Sequence, residues 1–313
     1  LSTPGSVAQV RATQIEAAEL PAGVILDAAA GSGVQLVALT AGLKRPGLAI
    51  ELDPNIGLLC AANMHSAGES GDLQRSMDRV LVGDGTDAEN AIIAYWNSLR
   101  ESGTRAHPPI GMLHLDPARP RDAQRHEIDE MQPAIGPLMK AWSKHLEIGP
   151  RGPAVLLDLS PRLNEDQRAL VDATIETTFP GITRTWEYLS QGGGRIDRLS
   201  VWIGSLSSKS PSRCVRMGRK KIMATIEGKI AESEEVSMSK PPPFGAHLTI
   251  VDPALVQSGL QESWLERALP EGVGHSWLRL DGRRPLLIST ERLNKDEEID
   301  AFVVASGEIV QHR

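Results

Sequence analysis

The stretch Gly23-Val24-Ile25-Leu26-Asp27-Ala28-Ala29-Ala30-Gly31-Ser32-Gly33 decides the reading of this chain. Its first half is a short aliphatic run closed by a carboxylate, which reads as a buried strand. Its second half holds only small residues and glycines, and a helix-like run, Val34 to Leu43, follows directly. Strand, tight turn and helix in that order open an α/β unit whose turn lets a ligand approach the backbone. The same alternation spreads outward. A loose helical pattern, Val7 to Leu20, precedes it. Leu48-Ala49-Ile50-Glu51, Arg79 to Gly83, Ile110 to Leu115 and Ala154 to Leu159 read as further strands. Helical patterns lie between and after them, from Pro54 to about His65, Ala88 to Leu99, Pro133 to His145 and Asn164 to Thr178. Thr183 to Leu189, a Gly192-Gly193-Gly194 turn and Arg198 to Gly204 read as a closing hairpin. This pattern predicts a mostly parallel sheet covered on both faces, with an antiparallel edge.

The 313 residues are 41% apolar and 23% charged, which excludes wholesale disorder. The length suits one large and one small domain. Six Trp, two Tyr and three Phe are few for such a chain, so the core must rest mainly on Leu, Ile, Val, Ala and Met. The net charge of −7 excludes a chain-wide basic footprint for nucleic acid and leaves room for a local one. Cys60 and Cys214 cannot form a disulfide framework and fit a reducing, cytoplasmic setting. No apolar run approaches the ~20 residues of a membrane helix, and the start does not read as a signal peptide. The chain opens on Leu1 rather than Met, so it is treated as a possible fragment.

Composition shifts near Ser205. Lys209, Arg213, Arg216, Arg219, Lys220 and Lys221 carry six positive charges with no acid among them. Glu227, Glu232, Glu234 and Glu235 follow, and Pro241-Pro242-Pro243 ends the stretch. We read 1–204 as the α/β domain, 205–243 as a basic then acidic linker with room for short strands, and 244–313 as a small α+β module. That module has strand-like runs at His247 to Val251, Arg284 to Ser289 and Ala301 to Ala305, and one helix over Pro253 to Leu269. No internal repeat is visible.

Two cofactor types suit a glycine turn of this kind. A dinucleotide needs GxGxxG for its pyrophosphate; Gly31 and Gly33 fit, but Leu36 stands at the third position. S-adenosylmethionine (SAM) presents an ammonium group, a sulfonium and an adenosine instead. Asp27 suits the ammonium, and Ala28, Ala29, Ala30, Gly31 and Gly33 let the backbone lie along the ligand. Glu51 is placed to accept ribose hydroxyls. Asp84, with Gly85 after it, is placed for the adenine amino group and a ring nitrogen. Asp116-Pro117-Ala118-Arg119 closes the fourth strand. Four carboxylates thus end four consecutive strands, where ligands of open α/β sheets bind. Taken singly, each has a plainer reading as a turn, a helix cap or a solvated strand end.

Residues 23–120 resemble the class I SAM-dependent methyltransferases. Asp27 to Gly33 resembles the glycine-rich first motif, with Ala29 where the family most often has its first glycine. Glu51, Asp84 and Asp116-Pro117 resemble the acids of the second, third and fourth strands. A narrower resemblance is to the methyltransferases with a C-terminal THUMP-like domain. It rests on Thr3-Pro4 with Arg11-Ala12, on the DPAR sequence Asp116 to Arg119, on Tyr188 to Gly194 with Leu199 to Gly204, and on Val251 to Leu260. The resemblance implies a Rossmann-like, seven-stranded methyltransferase sheet with a small C-terminal α+β domain. It also implies SAM as cofactor and a lysine at the position of Asp158.

Methyl transfer mainly needs positioning. Asp116 and Pro117 are expected beside the reacting methyl, with Arg119 or Arg121 on an anionic part of the acceptor such as phosphate. The loop carries no aromatic residue to stack on a base. His114, inside a buried strand, reads as a satisfied core histidine, and Cys60 as a core thiol. The eight His show no ligand spacing, so no metal is expected. The expected function is SAM-dependent methylation of RNA, tRNA or rRNA, with the 209–221 run and the C-terminal module as contacts for structured RNA. The alternatives are a protein or small-molecule acceptor, or a catalytically silent SAM fold that binds RNA or protein. No membrane partner is expected.

Overall fold

Val24, Ile25 and Leu26 are wholly buried. That burial lets so short a run hold as a strand, because a parallel sheet covered on both faces asks for apolar residues at every position. The computed structural model describes residues 5–68, 75–118, 128–219, 221–238, 240–280 and 284–311. In chain order the elements are α1 (Gly5–Glu16), β1 (Val24–Asp27), α2 (Val34–Leu43), β2 (Gly47–Glu51), α3 (Pro54–Gly68), β3 (Arg79–Val82), α4 (Ala88–Glu101), β4 (Ile110–Leu115), α5 (Ile135–Ser143), β5 (Ala154–Leu159) and α6 (Glu165–Thr178). Then come β6 (Arg184–Ser190), β7 (Arg198–Gly204), β8 (Ser212–Met217), β9 (Ile222–Gly228), β10 (His247–Val251), α7 (Pro253–Gln257), α8 (Gln261–Ala268), β11 (His275–Arg279), β12 (Leu286–Ser289), α9 (Glu297–Asp300) and β13 (Val303–Glu308).

The larger sheet runs β3-β2-β1-β4-β5-β7-β6-β8-β9. The chain builds outward from β1 to β3, then crosses back to β4. The reversal between β1 and β4 is the switch point at which a doubly wound sheet opens a crevice. The α/β, Rossmann-like architecture is therefore present, but with nine strands where seven were expected. The extra two, β8 and β9, fall in the stretch read as linker, and they pair antiparallel from Ser212↔Gly228 to Met217↔Ile222. The sequence left room for short strands there, and the charge count gave them no bounds. Arg213 meets the buried carboxylate of Glu187 at 2.8 Å and that of Glu227 at 3.3 Å. Arg216 donates to the carbonyls of Ala301, Ser190 and Met217. Two of the six basic charges are thus turned inward, whereas Lys209, Arg219 and Lys221 are exposed and Lys220 lies outside the described residues.

The chain divides into two compact units, 1–184 with 201–207, and 185–200 with 208–313. In the first, β1 pairs in parallel with β2 and β4, β2 with β3, and β4 with β5. Its core joins Ala12 and Ile15 of α1, Leu36 and Leu39 of α2, Ile25, Met112 and Leu156, all buried. As the composition required, aliphatic residues dominate, with Tyr95, Trp142 and Trp202 as wholly enclosed exceptions. In the second, β6 pairs in parallel with β8, and a separate antiparallel sheet runs β11-β12-β10-β13. The single helix read over 253–269 is two, α7 and α8, divided where Gly259 turns to a φ of +70°. No helix among the described residues is long and apolar enough to cross a membrane.

Candidate cofactor site

The turn after β1 is held by its own glycines. Gly31 and Gly33 take φ of +54° and +75°, a left-handed conformation that costs other residues ~1–2 kcal/mol. A methyl group built on Gly33 would run into the Cys60 sulfur, whereas one built on Gly31 meets nothing within 4 Å. Gly33 is therefore the packing glycine, and Gly31 faces open room above the turn. The Asn63 amide of α3 donates to the Ser32 carbonyl at 2.8 Å and steadies the turn from below.

Glu51 at the end of β2 closes on this turn. Its Oε2 accepts from the Gly31 N–H at 2.8 Å, and its Oε1 from the Asp53 N–H at 3.0 Å. A carboxylate offers about four acceptor sites, so these two bonds orient Glu51 and leave capacity for hydroxyl donors. At the end of β3, Asp84 is exposed, and its Oδ1 accepts from both the N–H and the hydroxyl of Thr86, at 2.8 and 2.7 Å. Those bonds hold its carboxyl below the ordinary carboxylate range. Gly85 sits so close to the first turn that a side chain there would strike the Ala28 carbonyl oxygen. The buried Trp142 of α5 donates its indole N–H to the Gly85 carbonyl at 2.7 Å and pins the loop. Asp27, Ala28, Ala29, Gly31, Gly33, Glu51, Asp84 and Gly85 thus meet at one end of the sheet.

Asp27 lies deeper than the others. Its Oδ1 accepts from the Ala29 N–H at 3.3 Å, and its Oδ2 lies 2.8 Å from Nδ1 of His114. In the sheet register Asp27 stands directly beside His114, and side chains so paired share a face about 4.8 Å apart. Nε2 of His114 reaches Asp158 Oδ2 on β5 at 3.3 Å, and Asp158 in turn accepts from the Arg11 guanidinium of α1. All four side chains are buried. Burial alone would push the imidazolium of His114 down. The charge of Asp27 and the bonds to both carboxylates outweigh it and lift the His114 pKa to about 10. Burial likewise opposes the Asp158 charge, but Arg11 and then His114 hold its carboxyl far below the ordinary range. His114 is the satisfied core histidine the sequence implied, and it is cationic. Asp158, standing where the resemblance implies lysine, is the anion between two cations.

Asp116 follows β4 half-buried, with Pro117 buried behind it. Ala118 and Gln132 exchange both backbone hydrogen bonds at 2.9 Å. Arg119 and Arg121 lie outside the described residues. Cys60 is a core thiol: burial, and then the charges of Asp27 and Glu51, push it up to about 12. Among the described residues, His, Cys, Asp and Glu gather nowhere in the threes that hold a metal ion. Sequence reasoning gave no role to Trp142 or Asn63, and linked none of Arg11, His114 and Asp158 to Asp27. The available signal was a lone polar residue of opposite sign inside each of two neighbouring apolar runs, Ile110 to Leu115 and Ala154 to Leu159, since buried charges require partners.

No protein-family model and no curated protein matches the chain. Among solved structures it is similar to a protein of Listeria monocytogenes assigned to the class I SAM-dependent methyltransferases, at 15% identity and a TM-score of 0.42 over 71% of this chain and 64% of that one. It is similar to an O-methyltransferase from Bacillus cereus in complex with S-adenosylhomocysteine (SAH), at 15% identity and a TM-score of 0.40 over 65% and 82%. It is also similar to the O-methyltransferase TomG of Streptomyces achromogenes, involved in tomaymycin synthesis and bound to SAM, at 17% identity and 0.39 over 65% and 81%. The chain thus spans under two thirds of the Listeria protein. At such scores the chemistry must be read from this chain's own residues.

Proposed function

We propose that the chain is a SAM-dependent methyltransferase whose acceptor is RNA. One observation carries the reading. Carboxylates end β1 and β2 and follow β3 and β4, around a left-handed glycine turn whose Gly31 N–H is already tied to Glu51. A dinucleotide site would want a third glycine where Leu36 is wholly buried in the core. The cofactor supplies an electrophilic methyl group on a sulfonium. The chain supplies binding and aim. Asp27 and the turn receive the methionine end. Glu51 accepts from the ribose hydroxyls. Asp84 and the Gly85 N–H read the adenine edge. Asp116, backed by Pro117, orients the acceptor atom, and Arg119 contacts an anionic part of the acceptor.

Support for RNA comes from the THUMP-like resemblance of 251–260 and from the exposed cations Lys209, Arg219 and Lys221. A protein or small-molecule acceptor is the second reading. It is favoured by the inward pairing of Arg213 and Arg216, which shrinks the basic surface. Tritiated SAM offered with total RNA, with and without nuclease, beside a protein extract, separates the two. Label in nuclease-sensitive material supports RNA; label that survives nuclease and falls to protease moves the acceptor to protein. A thermal shift with NAD and none with SAM overturns the methyltransferase reading. Asp116→Ala is expected to abolish transfer with SAM binding retained, and full activity in that variant removes Asp116 from the reaction.

A further inference from the structure

The chain Arg11–Asp158–His114–Asp27 goes beyond what a fold needs for stability. Four ionisable side chains are enclosed together, and each is nine-tenths or more buried. Burying charge is costly, and hydrophobic replacement of such groups is often neutral or stabilising. Here side chains of opposite sign alternate, Arg11 beside Asp158, Asp158 beside His114 and His114 beside Asp27. Each link joins a different element: α1, β5, β4 and β1. The last link, Asp27, does not stop in the core. Its second oxygen takes the Ala29 N–H at the entrance of the glycine turn.

We infer that His114 is a positioning residue of the cofactor site, tying the carboxylate of Asp27 to Asp158 and, through Arg11, tying α1 to the turn that receives the methionine end of the cofactor. The inference rests on the SAM reading above. His114 itself touches no reacting atom. Without it, Asp27 keeps the local Ala29 contact but loses the bond that fixes its rotation, and the turn loses its anchor to β4 and β5. The adenosine end has supports outside this chain: Glu51 is held by the Asp53 N–H, Asp84 by Thr86, and Gly85 by Trp142.

Two ligands separate these ends. SAH carries the amino-acid end, and 5′-methylthioadenosine lacks it. In calorimetric titrations of the full chain, His114→Gln is expected to weaken SAH about tenfold or more, the size of a lost hydrogen bond to a charged group. It should leave methylthioadenosine within about twofold. Asp158→Asn keeps the shape and removes the far anion, and the same selective loss is expected there; it carries the test should His114→Gln not fold. Equal loss for both ligands, or no loss for either, overturns the inference and leaves the SAM reading intact. Failure of the unmodified chain to bind SAH overturns that reading and the inference with it.

Discussion

The two ends of the candidate site are built by opposite means. At the β1 end, Asp27 is held by partners 87 and, beyond them, 131 residues away in sequence, all inside the core. At the β3 end, Asp84 is exposed and is held by Thr86, two residues on. The first arrangement fixes a side chain by global folding and makes the site inseparable from stability. The second fixes it by local turn geometry and leaves it free to change without cost to the core. Glu51 lies between, locally tied to Asp53 and also tied across the site to Gly31.

The sharpest way to break this contrast is Arg11→Met. It leaves Asp158 with one cation of two, and the expected loss of stability is roughly 3–5 kcal/mol in urea unfolding. A loss within experimental error would mean that the buried chain is not a unit. The same end should carry a pH dependence. Folding raises the His114 pKa from 6.5 to about 10, so its contribution is full below about 6.5 and is lost as pH rises toward 10. Folding lowers the Asp158 pKa from 3.8, so its contribution is full above that value and falls away in acid. Stability from this cluster should therefore be greatest between those two unfolded values, and His114→Gln should flatten the alkaline limb measured by thermal melts. An unchanged limb would place the titration elsewhere.

Gly85→Ala tests where the ends meet. The added methyl must push against the Ala28 carbonyl, at an expected cost of about 1–3 kcal/mol with weaker SAM binding by calorimetry. Gly31→Ala has open room but a left-handed φ of +54°, and about 1 kcal/mol is expected from the backbone alone. A larger loss would reveal a contact at Gly31 that the geometry lacks. The smallest effect belongs to Thr86→Val. It removes one exposed donor to Asp84, with a stability change of about 0.5 kcal/mol or less, visible mainly as a modest weakening of adenosine-end ligands.

The same contrast governs how much could be read from sequence. The strands at 24–27, 47–51, 110–115 and 154–159 were legible because fully buried parallel strands appear as unbroken apolar runs. The glycine turn and Asp84-Gly85 were legible because their geometry is local. Arg11, His114 and Asp158 were not joined, because nothing in spacing links residues whose contact exists only once β4 and β5 lie beside β1. Strands β8 and β9 were allowed for within 205–243 but given no bounds, for a related reason. Arginines at 213 and 216 read as solvent-facing until Glu187, Glu227 and the carbonyl of Ala301 are brought to them. Trp142 carried no signal at all, since a core tryptophan and one that pins a loop look alike in sequence.

The pairing of Arg11 with Asp158 also sets an order of events during synthesis. The guanidinium leaves the ribosome 147 residues ahead of its carboxylate, a gap of about 7–30 s at ordinary elongation rates of about 5–20 residues per second. Throughout that interval α1 can settle onto the nascent sheet only without the carboxylate that Arg11 meets in the finished domain. Docking of α1 therefore gains the stabilisation of this pair only once the fifth strand has emerged.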